Sequence, residues 1–172
     1  MTRKIVLSLL TAMALLVGAA GSASDDKYWN PKIDMRGFLR NAEQAADIRE
    51  SHRVTEDEFI EMMKDPATVV LDARSHAKYD LLHVKGAVNL SFPDISISTL
   101  EKMFPDKTQR ILIYCNNNFV GDEEAFPGKD ASASLNLSTF VTLTTYGYTN
   151  VWELAPLLDV GTTRIPLVGS RR

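Results

Sequence analysis

The residue best placed for chemistry is Cys115, the only cysteine in the chain. A thiolate is a strong nucleophile, and its formation is governed by what surrounds the sulfur. A single cysteine cannot close an intramolecular disulfide. It is a free reactive thiol, one half of an intermolecular pair, or a buried inert residue. Its position favours a functional thiol. Cys115 directly follows Ile111-Leu112-Ile113-Tyr114 and precedes Asn116, Asn117 and Asn118. A sulfur between a strand end and a helix N-terminus gains from the helix dipole and from unpaired N–H groups, and such a place also binds anions. The asparagine amides are hydrogen-bond donors, and asparagine also tolerates the left-handed backbone of tight turns. Ligand binding and turn-making are both open readings for them. Lys129 is the one cation in the 116–130 segment, which carries Asp122, Glu123, Glu124 and Asp130. His52, His76 and His83 lie far apart and, with one cysteine, propose no zinc site. No metal or cofactor is expected.

The elements that would hold Cys115 read as alternating strands and helices. Val69 to Leu71, Ala87 to Leu90, Ile111 to Tyr114 and Asn150 to Leu154 are short apolar runs, as strands buried on both faces are. Helical spacing appears over Met35 to Arg49, from Thr55 to before Pro66, over Ile97 to Phe104 and over Ala131 to Tyr146. Thr55 and Glu58 have the spacing of a capping box, and Gly147 stands where a helix commonly ends. This order predicts an α/β fold with a parallel sheet covered by helices on both faces. In such sheets function collects at the carboxyl ends of the strands. The segment from Asn116 to Asp130 reads as one long loop, and Phe126-Pro127-Gly128 would shape it as a solvated lid.

Composition sets the compartment and excludes some partners. The 172 residues are 45% hydrophobic and 24% charged, which fits one folded domain. Arg3 and Lys4 precede the apolar run Ile5 to Val17, and Gly18 to Ser24 are all small. That order predicts a cleavable signal peptide over residues 1–24 and a periplasmic or secreted protein. The run is too short for a membrane span, which needs about 20 apolar residues. Cleavage leaves 17 Lys and Arg against 22 Asp and Glu, a net charge of −5. Nucleic acid and anionic membrane are therefore not expected partners. The mature chain divides into a partly helical lead-in over 25–53, a domain over 54–167 and a tail over 168–172.

Five segments in order give the chain a family resemblance. Val70-Leu71-Asp72-Ala73-Arg74 resembles a first core strand ending Asp-x-Arg. Tyr79, His83 and Gly86-Ala87-Val88-Asn89-Leu90 resemble a Y…H-x-x-G-A-x-N-L segment. Ile111 to Cys115 resembles the strand that delivers an active-site cysteine. Ala133, Leu135 and Tyr146 to Val151 resemble the following helix and its G-Y-x-N-V turn, and Ile165-Pro166-Leu167 a closing segment. Over about residues 54–167 the chain resembles the rhodanese-like family, and looks closest to exported members with a Y-C-N-N-N-F stretch and a long loop.

The resemblance implies sulfur transfer. The thiolate of Cys115 would take a sulfane sulfur from a small donor such as thiosulfate and pass it, as a persulfide, to an acceptor such as cyanide or a thiol. In this chain the candidates to bind the anion are Lys129 and the side-chain amides of Asn116, Asn117 and Asn118, for which turn-making stays the open alternative. Asp72, Arg74 and His83 would have structural roles. The usual family loop is shorter and often holds an arginine after the cysteine, whereas here none occurs between Cys115 and Arg164. The related Cys-x5-Arg phosphatases require arginine at the position held here by Gly121, so phosphatase chemistry is rejected. The alternative to a sulfurtransferase or persulfide carrier is a non-catalytic binding module whose 116–130 loop contacts a protein partner. A redox role, with Cys115 in mixed disulfides, would need a partner thiol.

Overall fold

A computed structural model describes residues 30–171. The signal-peptide reading of residues 1–24 lies outside them. The chain divides into two compact units, residues 1–34 and 35–172. Of the first, residues 30–34 include a turn in which Lys32 N donates to Asn30 Oδ1 at 2.9 Å. No helix among the described residues is long and apolar enough to cross a membrane.

The second unit runs α1 (Met35–Glu50), β1 (Arg53–Val54), α2 (Glu56–Met63), β2 (Val69–Asp72), α3 (His76–Leu81), β3 (His83–Val84) and β4 (Val88–Asn89). It continues with α4 (Ile97–Met103), β5 (Ile111–Tyr114), β6 (Phe119–Val120), α5 (Leu135–Thr145), β7 (Val151–Leu154), β8 (Leu158–Asp159) and β9 (Leu167–Val168). The main sheet has the order β1-β7-β5-β2-β4, and every pairing in it is parallel. Val69 to Asp72 pair in register with Ile111 to Tyr114. This is the α/β architecture expected, with helices on both faces.

The central strand, β5, shows why the fold closes in this way. All four of its residues are buried. Leu112 and Tyr114 face one layer, with Val70, Leu154, Phe59, Leu82 and Phe126. Ile111 and Ile113 face the other, with Leu71, Val151, Leu100, Phe140 and Leu143. A strand must be apolar throughout when both faces are covered, because successive side chains point opposite ways.

Local signals set the helix ends. Thr55 accepts from Glu58 N at 3.3 Å, while Thr55 N donates to the Glu58 carboxylate at 2.8 Å, completing the capping box. Gly147 follows α5 with φ 87°, the left-handed conformation at which glycine commonly ends a helix. At the other end α5 departs from expectation. Residues 131–133 form a separate 3-10 turn, and Ser134, with ψ 131°, interrupts the chain before α5 starts at Leu135.

The 116–130 segment also differs from a solvated lid. Asn116–Asn118 form a 3-10 turn, and β6 pairs with β8. Phe119, Ala125 and Phe126 are core residues. Glu123, Glu124 and Asp130 are exposed, while Asp122 is half-buried. Arg171 donates to Asp122 at 2.8 Å and to Glu124 at 2.6 Å, and Asp130 accepts from Ser132 N. The residues after β9 form a strap that is itself fixed to α3: Ser170 N and Arg171 N donate to the carbonyls of Asp80 and Leu81. At Gly169 the two backbones nearly touch, since an added Cβ would lie 2.3 Å from the Leu81 oxygen. Only glycine permits that approach.

Candidate active site

Cys115 leaves the end of β5 and precedes the 3-10 turn Asn116–Asn118. It is 1% exposed. Its Sγ lies 3.4 Å from the Ser134 hydroxyl. Ser134 immediately precedes α5, so the thiol does sit between a strand end and a helix N-terminus. The first N–H groups of a helix lack intrahelical partners, and the dipole there favours negative charge. A hydroxyl at this distance from sulfur can donate to a thiolate or accept from a thiol.

Each of the three asparagines binds a different stretch of backbone. Asn118 is the hub. Its Oδ1 accepts from Cys115 N at 2.9 Å and from Asn136 Nδ2 at 3.0 Å. Its Nδ2 donates to Leu154 O at 2.7 Å, at the end of β7. One carboxamide thus joins the ends of β5, β7 and α5. Asn116 Nδ2 donates to Pro127 O at 2.8 Å. Asn117 Nδ2 donates to Lys129 O at 2.9 Å, while Lys129 N donates back to Asn117 Oδ1 at 3.1 Å. The amide nitrogens therefore face backbone carbonyls and shape the segment, with Asn116 and Asn118 both buried.

Beneath this loop lies a buried ionic cluster. Arg74 donates to both oxygens of Asp72, at 2.6 to 3.1 Å, and also to the carbonyls of Leu82 and Ala125. The Tyr114 hydroxyl donates to Asp72 at 2.5 Å and accepts from Val84 N at 3.1 Å. Burial, and then the Asp72 charge, push the Tyr114 phenol well above its ordinary value. Each nitrogen of the Arg74 guanidinium donates to a protein oxygen, and its charge is paired with Asp72. The cluster welds β2, β5, the turn before β3 and the 116–130 segment together, so Asp72 and Arg74 have the structural roles expected of them. His83 Nδ1 lies 2.7 Å from Tyr79 O, and its ring stacks on Tyr79 at 3.6 Å.

A cleft of about 410 Å³ opens at the carboxyl ends of β2 and β5. Asn116, Lys129, Lys78, Phe92 and Leu135 are among its lining residues. Two of these, Asn116 and Leu135, are the chain neighbours of Cys115 and Ser134, while Cys115 itself does not line the cleft. The structure thus brings Asn116 and Lys129 into one cleft, while Asn117 and Asn118 brace it from outside. Sequence reasoning missed Ser134, Asn136, Lys78 and Phe92. Ser134 had a usable signal, a serine just before the apolar spacing of α5. The others are placed by tertiary packing alone.

The model of the rhodanese-like domain matches residues 55–155. Among solved structures, the BH2092 protein from Bacillus halodurans is similar, with 17% identity over 77% of this chain and 88% of that one, at a TM-score of 0.51. A thiosulfate sulfurtransferase from Pseudomonas aeruginosa is similar at 15% identity and a TM-score of 0.50, covering 75% of this chain but 22% of that one. A rhodanese with anions from E. coli is similar at 23% identity over 60% of this chain and 99% of that one, with a TM-score of 0.40. At these identities the likenesses with TM-scores of 0.51 and 0.50 speak for the fold alone.

Proposed function

This chain belongs to the rhodanese-like domain family, and from that premise we propose that it is an exported sulfurtransferase or persulfide carrier in which Cys115 carries the sulfur. The observation that supports this reading most is the position of Sγ after β5, 3.4 Å from the Ser134 hydroxyl that precedes α5. The Cys115 thiolate would attack the outer sulfur of thiosulfate. A sulfur–sulfur bond forms to Cys115, the bond inside the donor breaks, and sulfite leaves with the electron pair. The persulfide anion that remains would face the positive end of α5 and the Ser134 hydroxyl. A thiolate acceptor then attacks its outer sulfur and restores Cys115. Lys129, which lines the adjacent cleft, is the group proposed to meet the anionic donor, while Asn116 shapes the cleft through its bond to Pro127 O. Export to the periplasm or the outside medium rests on the Arg3-Lys4 and Ile5 to Ser24 pattern.

Intact mass of the purified protein after incubation with thiosulfate tests the reading. One added sulfur atom is expected, removable by cyanide and absent from Cys115→Ser. Transfer that is unchanged in Cys115→Ser would sink it. One observation favours a second reading, a non-catalytic binding module: Cys115 is almost wholly covered. Under that reading no sulfur adduct forms and the native thiol resists alkylation until the protein is unfolded. Binding to a partner would survive Cys115→Ser but not shortening of the 116–130 segment.

A further inference from the structure

Helix α1 carries an apolar stripe that the domain leaves open. Ala45 is the residue it buries. Met35, Leu39, Ala42 and Ala46 follow one another at spacings of four, three and four, which sets them along one side of the helix. Met35 is 67% exposed and Leu39 53% exposed. Ala42 and Ala46 border a groove of about 450 Å³, which Leu137, Phe140 and Val141 of α5 complete. Large exposed side chains in a seam of this spacing, next to alanines and a groove, form a surface on which another helix packs.

The charges of α1 say which helix that is. Arg36 and Arg40 stand in its first half, and Glu43, Asp47 and Glu50 in its second. The dipole of a lone helix favours the reverse, acidic residues near the N-terminus and basic ones near the C-terminus. The first turn of α1 holds no acidic residue, and Arg49, the basic residue of its last turn, is committed to Glu153. Among the described residues, Arg36, Glu43, Asp47 and Glu50 make no ion pair. A second α1 laid antiparallel sets the basic half of each helix against the acidic half of the other and opposes the two dipoles. A parallel copy would set like charges together. The face is thus self-complementary, as a two-fold interface requires.

We propose that two copies of this chain pair through α1, antiparallel about a two-fold axis. Arg36 of each copy meets Asp47 of the other. In that register Arg40 falls opposite Glu43. Leu39 falls opposite Gln44, between Ala42 and Ala46, at the groove that α1 shares with α5. No residue of the Cys115 site takes part, so the pairing stands apart from the sulfur chemistry.

Sedimentation equilibrium of the purified protein in dithiothreitol reads the pairing directly. A reversible monomer–dimer equilibrium is expected. Leu39→Glu should give a monomer with an unchanged circular dichroism spectrum, because the side chain it replaces is exposed. Arg36→Glu should raise the dissociation constant about tenfold, since the contact turns repulsive on both sides of the axis. Adding Asp47→Arg should restore the affinity, because the pair is then reversed and not broken. Both changes agree with the helix dipole, so the fold is retained. A monomer at every concentration would overturn the proposal, and one that binds phosphatidylglycerol vesicles would assign the stripe to a membrane surface. A dimer that withstands Leu39→Glu would place the interface elsewhere. A loss in Arg36→Glu that Asp47→Arg does not reverse would rule out the antiparallel register.

Discussion

Asn118 concentrates several structural duties in one carboxamide. It receives Cys115 N and Asn136 Nδ2 on one atom and donates to Leu154 O from the other. Leaving buried partners unpaired costs about 1–3 kcal/mol each, so Asn118→Ala should destabilise by roughly 2–4 kcal/mol. Chemical denaturation checks this, and Asn117→Ala, at a more exposed site, should cost under about 1 kcal/mol by the same argument. The position of Cys115 at the end of β5 was legible from sequence, because a strand buried on both faces announces its own end. The work of the asparagines was not. Residue type says that an amide can donate, but whether it meets a ligand or a carbonyl depends on which backbone segments fold over it.

At the scale of elements, the attachment of α1 is the feature with the largest lever. Arg49 on α1 makes a two-pronged ion pair with Glu153 on β7, one prong measuring 2.7 Å. Glu153 is 4% exposed, in the middle of the strand between β1 and β5. Removing one member of a buried pair costs more than removing both, because the survivor is left charged and dry. Arg49→Ala should therefore destabilise by about 3–5 kcal/mol, whereas Arg49→Met combined with Glu153→Leu should recover most of that loss. Denaturation midpoints of the two variants decide it; equal losses would mean that packing, and not charge, holds α1. The helical spacing of Met35 to Arg49 was readable, but its docking was not, since no local pattern links Arg49 to a residue 104 positions away. The same holds for β3, β6, β8 and β9. A strand of two residues carries no periodicity to read.

For the molecule as a whole, stability should respond to alkaline pH through the Asp72–Arg74–Tyr114 cluster. Tyr114 titrates well above its ordinary value in the folded state, owing first to burial and then to the neighbouring Asp72. The unfolded chain releases that proton near pH 10, about the ordinary tyrosine value, while the folded chain keeps it. The contribution is thus fully present below about pH 10 and is lost as pH rises from there towards the folded value. Tyr114→Phe should be less stable at neutral pH and show a shallower decline above pH 10, read from urea unfolding at several pH values. An unchanged alkaline slope would contradict the assignment. The overall sheet was the most legible part of the chain. Four of the five parallel strands appear as apolar runs, and the fifth, β1, escaped because its two residues, Arg53 and Val54, alternate in exposure.

The tie between Arg171 and the segment after Cys115 has a consequence in time as well as in space. Asp122 and Arg171 are 49 residues apart, and Gly169 allows the strap to press against Leu81. A ribosome makes the chain from its N-terminus, so the thiol and its loop emerge long before the clasp that fastens them. Synthesis at about 5–20 residues per second leaves seconds in which Asp122 and Glu124 have no arginine to meet. The site is therefore assembled last at its outer edge, and a nascent chain stalled before Arg171 would carry the cysteine without its fastening.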